Sequence, residues 1–388
     1  MLCVCSVEAK ERNCMPFVVV HGGDFLENFW IGHLVIALVL GSALLVFGLS
    51  SVSYAAEEAN WAGAGVDSIP VDAVKANDYD PIDDLPEEVQ KAVKGALPME
   101  TIDLWESSLR QIDILVPMQP KKLILKDCDE VTDFSPLAKM TSLKSLNLRG
   151  TQFADLRLLA GLKLEELNLL ECPNIADYSP LAQMKTLKSL SVGGSVACKD
   201  LSFVVPLNLE YFRASESEEG SRVDLSVLAG MKHLRTLQID HLYNVDCATF
   251  AGLPLDTLTI DECSALLNVE AVGKMKSLRT LFLTNLPLRG IKFAEGLPLQ
   301  WLKLNGCSEL ADIAPVATMP KLEKLSLADT AVTSLTPVRD LPLRELNIWF
   351  CKGITDLVPL KGKTSLQSIV TDGTKFAEVT LSEIVKQK

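Results

Sequence analysis

Three sets of residues in this 388-residue chain have types and spacings that could do chemistry. Cys128, Cys172, Cys263, Cys307 and Cys351 fall on a grid of 44 residues, broken by one longer gap between Cys172 and Cys263. Thiols at fixed spacing could pair as disulfides or ligate zinc. Asp240-His241 and Asp261-Glu262 repeat an acid-bearing dipeptide, an arrangement that could hold a cation or a basic partner. Tyr211, Phe282, Trp301 and Trp349, with Phe350 beside the last, could anchor a partner, because exposed aromatics are enriched at binding sites. Catalytic patterns do not emerge. The chain has four histidines, two of them before residue 35, and none of the H-E-x-x-H, G-x-S-x-G or glycine-rich phosphate-loop patterns. The expectation is a protein that is no enzyme, with no cofactor and no metal.

The elements that must position these residues are repeated ones. An L-x-L core recurs at Leu123/Leu125, Leu146/Leu148, Leu167/Leu169 and onward to Leu346/Ile348, with another apolar residue three positions ahead of most copies, as at Leu143 and Leu164. Away from the middle of the array the steps alternate between 21 and 23 residues, which makes a 44-residue double unit. Ile102 extends the register backwards and Ile369 starts a last, degraded copy, so 13 strand positions are expected. One irregularity interrupts the count at 215–222 (SESEEGSR), where the double unit grows to 47 residues. That loop reads equally as a binding insertion and as a tolerated bulge.

Each copy is one coil. The x-L-x-L segment makes a short strand with alternate side chains in and out. A D-x-S-P-L segment follows in Asp133 to Leu137 and Asp177 to Leu181, with Asp suited to cap and Pro to start a short helical turn. Neither leg buries itself alone, and stacking of neighbours does it. At about 4.8 Å per strand, the parallel sheet should run roughly 60 Å.

The pattern L-x-x-L-x-L-x-x-C/T, with D-x-S-P-L behind it, resembles the bacterial leucine-rich repeats of the short-repeat, internalin-like type. The likeness covers residues 99–377. It implies an α/β solenoid: a right-handed leucine-rich repeat horseshoe with a parallel concave β-sheet, short helical turns on the convex side and a helical N-terminal cap. It also implies a binding scaffold, since that family is mostly one, with varied partners. The sequence departs from the pattern where Cys, Thr or Leu replaces the usual Asn ladder and where repeat length alternates. No wall-sorting motif is read after the repeats, so the role of cell-wall adhesin does not carry over.

Placed on this frame, the cysteines lose most of their chemistry. They sit on alternate coils, with Ser217 in the missing slot, so neighbours in the grid are about 9–10 Å apart, beyond the roughly 7 Å a disulfide tolerates. They read as small buried hydrophobes, and the same distance excludes a zinc site among them. Cys198 and Cys247, on consecutive loops, keep the option of pairing. Asp240 and Asp261 hold equivalent positions on adjacent strands, about 5 Å apart. Tyr211, Phe282, Trp301 and Trp349 flank the inward leucines and should face out from the concave sheet. The expected partner-binding residues are therefore Tyr211, Asp240, Asp261, Phe282, Trp301 and Trp349.

Outside the repeats, the run Phe29–Leu49 is almost wholly apolar and ends near Ser53-Tyr54-Ala55, a peptidase-type cleavage signal. Lys10 and Arg12 precede it and no base follows until Lys75, which places the remainder across the membrane. Residues 1–55 thus read as a signal peptide, with an uncleaved anchor as the alternative and Met15 as an alternative start. Residues 56–83 form an acidic linker, 84–98 a capping helix opened by Asp84-Leu85-Pro86, and 378–388 a polar cap and tail. The net charge of −13 argues against a nucleic-acid partner and against docking on anionic lipid. The expected function is an extracytoplasmic protein-binding scaffold (periplasmic, secreted or tethered by its N-terminus) that recognises a protein through its concave face. The rival readings are an architectural envelope component without a concave ligand, and a carbohydrate-binding protein.

Overall fold

In the computed structural model the described residues are 85–386, apart from 96 and 216–222, together with two short stretches nearer the N-terminus. The chain divides into two units, 1–67 and 68–388. In the first unit, Ile36–Leu40 and Ala43–Phe47 pair as antiparallel strands. The rest of residues 1–55, read above as a signal peptide, the segment 56–83 read as a linker, and the irregular stretch 216–222 lie outside the described residues. Among the described residues, no helix is long and apolar enough to cross a membrane.

In the second unit the L-x-L periodicity becomes 13 parallel strands lying side by side in chain order. The register is that of the repeat: Leu123 faces Leu146, Leu146 faces Leu167, and the pattern runs on to Leu346 and Ile369. Chain order follows from stacking, because each coil buries its leucines only against its two neighbours. Leu123, Leu146, Leu258, Leu281 and Leu302 are fully buried. The residues before, between and after each leucine pair form three rows on the outer face of the sheet, which is where strand alternation puts them.

The return legs are 3-10 turns such as Ser135–Lys139 and Ser179–Gln183. Their Asp residues do as expected: Asp133 and Asp177 accept the backbone N–H two residues on, each at 2.8 Å. Asp200, Asp224 and Asp312 repeat the bond at the same distance. Such a local carboxylate takes up a donor left open at the start of the turn. A second, two-stranded parallel sheet was not legible. It joins Asn244–Asp246 to Ala265–Leu267, beside the two strands of the Asp240 and Asp261 coils.

Both ends of the stack are covered. The helix Glu87–Gly95 packs on the turn Asp113–Met118, with Leu85 and Val89 buried. At the other end the expected polar finish is a helix, Leu381–Lys386, with Ile384 buried and the Val385 carbonyl accepting from Gly362 N–H. Thr380 and Glu383 build its start reciprocally. Glu383 Oε2 accepts from Thr380 N–H at 2.8 Å, and Thr380 Oγ1 accepts from Glu383 N–H at 3.4 Å. This capping box was written in the sequence as Thr380-Leu381-Ser382-Glu383.

All seven described cysteines are buried, and Cys128, Cys172, Cys247, Cys263, Cys307 and Cys351 are free thiols. Burial pushes the Cys128 and Cys263 thiols up to about 12. The grid has a hydrogen-bonding task. Cys128 Sγ donates to Leu104 O at 2.8 Å, Cys172 Sγ to Leu148 O at 3.0 Å, and Cys351 Sγ to Leu327 O at 2.8 Å. In the intervening coils Thr151 and Thr330 donate to the same carbonyls, Leu148 O and Leu327 O, from their own side. A thiol and a hydroxyl thus satisfy one buried acceptor at the strand end, where an unpaired carbonyl would be costly.

Lys363 is an exception in the core. It occupies the repeat position held by Met140, Met184, Met231, Met275 and Met319, all buried. Lys363 is itself only 8% exposed and donates to Arg339 O and Leu341 O at 2.8 and 2.6 Å. Burial holds its ammonium below the ordinary lysine value. The folded state then disfavours the proton, so this penalty is fully present at neutral pH and fades as pH rises towards the unfolded value of about 10.4. Lys363→Met should stabilise the protein by about 1 kcal/mol at pH 7, since a well-packed apolar residue commonly replaces a buried charge without loss. In urea melts the advantage should shrink at pH 10; an advantage that grew with pH would contradict this account.

Candidate functional site

The three outer rows of the sheet carry the expected partner-binding residues, and the structure divides them into two sets. Phe282 and Trp301 stand on adjacent strands and meet edge to face, ring centroids 4.6 Å apart and planes at 76°. Trp301 remains 37% exposed, so this contact fixes the ring without hiding it. Two lysines that the sequence reading passed over complete the patch. Lys303 Nζ lies 5.8 Å from the Phe282 ring centroid and Lys324 Nζ 5.1 Å from that of Trp301. They could have been found by register, because Lys303 is the strand partner of Phe282 and Lys324 that of Trp301.

Trp349 and Phe350 form a second exposed pair, ring centroids 4.6 Å apart. Phe350 stands in the left-handed region at φ 57°, a conformation uncommon for a bulky residue. Eight non-glycine residues hold this place in the described coils, among them Asp127, His241 and Asn285, at φ between 48° and 58°. These short polar types tolerate the conformation, whereas a phenyl ring gains nothing from it. The ring lies against Gly373, where a Cβ would sit 2.3 Å from Phe350 Cδ2. The repeat imposes this conformation in every described coil, so Phe350 is held in it by the coil geometry. Phe350→Gly should leave stability within about 0.5 kcal/mol, because relief of a left-handed residue, worth about 1 kcal/mol, offsets the lost ring contacts. A thermal midpoint lowered by more than about 3 °C would contradict this.

Trp105 belongs to the same row as Trp349 and was not singled out, although it lies three residues after Ile102 as Trp349 does after Leu346. It is 45% exposed, its Nε1 donates to Asp127 Oδ2 at 3.3 Å, and Lys126 Nζ stands 4.3 Å from its ring.

The remaining expected residues are placed differently. Tyr211 is half-buried and its hydroxyl donates to Gln238 Oε1 at 2.9 Å. Asp240 requires a correction. Its side chain is 1% exposed and its Oδ2 takes Arg213 Nε at 2.6 Å, so its basic partner is another row residue of the same sheet. Desolvation is the larger influence on this carboxyl and raises it against the pull of Arg213. Asp261 Oδ1 accepts from Thr284 Oγ1 and from Asn285 Nδ2. Beside it, His241 Nε2 and Glu262 Oε2 are 2.9 Å apart, an ion pair that raises the imidazole and lowers the carboxyl. Among the described residues no group of three or more His, Cys, Asp or Glu could hold a metal.

Charge is also unevenly spread. The first 84 residues hold 12 of the 50 acids and only 3 of the 37 bases, which leaves the solenoid carrying −4 of the −13. Its outer rows over the coils of Phe282, Trp301 and Lys324 contain no acid at all: Thr280, Phe282, Thr284, Trp301, Lys303, Asn305, Lys324, Ser326 and Ala328.

No family model and no curated protein matches the chain. Among solved structures it is similar to an internalin (InlF) from Listeria monocytogenes, at 20% identity over 72% of this chain and 88% of that one, with a TM-score of 0.46. It is similar too to the functional domain of InlJ from the same organism, which includes a cysteine ladder, at 17% identity over 73% and 78% of the two chains and a TM-score of 0.37. TLR13 in complex with ssRNA13 gives 17% identity, 74% and 47% coverage, and a TM-score of 0.49. With 13 parallel strands in chain order, a 44-residue double period and 3-10 return legs opened by an aspartate hydrogen bond, this chain has the leucine-rich repeat solenoid fold.

Proposed function

We propose that this protein is an exported, non-enzymatic scaffold that holds a protein partner on the C-terminal half of its concave sheet. One observation carries the reading: two aromatic pairs, Phe282–Trp301 and Trp349–Phe350, stand on the outer face of the sheet with Trp301, Trp349 and Phe350 exposed. Large exposed rings cost solvation unless a partner covers them, and rings already held by neighbours lose little entropy on binding. Export is supported by the apolar segment before Ala55 and by the charge asymmetry around it.

The test is a crosslinked pull-down from the envelope fraction of the native organism. It compares the wild type with a Phe282→Ala/Trp301→Ala/Trp349→Ala variant of unchanged circular dichroism. A partner captured by the wild type should be lost at least 100-fold by the variant, as expected when central aromatic anchors are removed. Equal capture by both would move the function to another surface.

A further inference from the structure

We infer that the concave patch at Phe282, Trp301, Lys303 and Lys324 takes an acidic peptide segment that carries an aromatic or aliphatic side chain beside its carboxylates. This rests on the concave-face reading above and adds the chemistry of the partner. In a chain of net charge −13, three adjacent coils present an outer face with two lysines and no acid. Lys324 already has a carboxylate, Glu345 Oε1 at 2.8 Å. Lys303 has none among the described residues, and its ammonium stands over the Phe282 ring. Lys303 is half-buried, has no carboxylate within ion-pair distance among the described residues and stands beside two aromatic rings, a place where an incoming carboxylate gains more than it would in open water.

The facing groups set the rest of the ligand. Trp301 is 37% exposed, and the accessible part of its ring suits a flat or branched apolar side chain next to the acid. Thr284, Asn305 and Ser326 flank the lysine, and Asn305 Oδ1 already accepts from Ser326 Oγ at 2.6 Å. A nucleic-acid strand would find the same ring and ammonium, but one uncommitted lysine releases few counterions. Affinity for a polyanion is built from many such contacts. An extended peptide needs one or two charge contacts and one ring contact, and this patch offers that number.

The experiment uses the full chain and fluorescence anisotropy with three labelled probes: a 12-residue peptide alternating Glu and Tyr, its counterpart alternating Lys and Tyr, and a 12-nucleotide oligothymidylate. The Glu/Tyr peptide should bind, weaken with salt, lose about tenfold with Lys303→Met, and lose all detectable binding with Lys303→Glu. Trp301→Ala should weaken it at least tenfold, and Lys292→Met, on a return-leg turn, should leave it unchanged. No binding of the Glu/Tyr peptide, equal binding of the Lys/Tyr peptide, tighter binding of the oligonucleotide, or indifference to Lys303→Glu would each overturn the proposal. The two readings separate in the pull-down. A cellular partner lost by the triple aromatic variant and kept by Lys303→Glu would sink the acidic ligand alone. A partner kept by both would sink both.

Discussion

Gly193→Ala should destabilise the protein by about 2–4 kcal/mol, whereas Gly230→Ala should leave it unchanged or stabilise it slightly. Gly193 has φ +149°, where an L side chain is strained, and it lies opposite Ser215 on the next strand. A Cβ built there would sit 1.8 Å from the Ser215 carbonyl oxygen and 2.6 Å from its carbon. These are backbone atoms and cannot swing aside, so the two strands must separate or the ladder must shift. The strain costs about 1–3 kcal/mol and a broken ladder bond about 1 more. At Gly230 a Cβ meets nothing within 4 Å, and the gain comes from a less flexible unfolded chain. For a chain of this size, differential scanning calorimetry should show a fall of about 6–12 °C for Gly193→Ala. Equal midpoints for the two variants would show that the approach of the strands is looser than the backbone geometry implies.

Phe212→Ala should cost about 3–5 kcal/mol and should also split the unfolding transition. Phe212 is fully buried and holds the place of the first strand leucine, between Leu190 and Leu237. Removing the ring leaves a cavity that a coil held between two neighbours cannot close. In a solenoid each coil touches only its neighbours, so one weak interface uncouples the halves on either side. This is also the coil where the period grows to 47 residues, so the interface has the least regular support. Urea unfolding followed by circular dichroism should pass from one transition to two, with a lower apparent m for each. A single transition, merely shifted, would mean that cooperativity in this stack reaches beyond nearest neighbours.

Several features were legible because the repeat is a covalent ruler. Strand count, strand order and register all follow from the spacing of Leu146, Leu167, Leu190 and their counterparts, since a one-residue slip would turn every leucine outward. The distance between alternate coils likewise decided against disulfides within the cysteine grid, and those thiols are free. The aspartate turns were legible for the same kind of reason: Asp133 and Asp177 bond two residues along their own chain, so no distant neighbour is needed.

Whatever depends on a partner from another coil was not legible. Asp240 reads in the sequence as an exposed acid on a strand, and only the fold brings Arg213 to within 2.6 Å of it and closes it off from water. Lys303 and Lys324 are ordinary lysines until the sheet sets them over Phe282 and Trp301. The task of the cysteines, donating to a carbonyl one coil back, likewise appears only when two coils are stacked. The sequence by itself therefore determined the coil, its period and the inward face, because hydrophobic burial and local capping act over a few residues. The tertiary structure decided which outward groups are spent on one another and which remain open to a partner, because hydrogen bonds and ion pairs form between side chains that only stacking brings within reach.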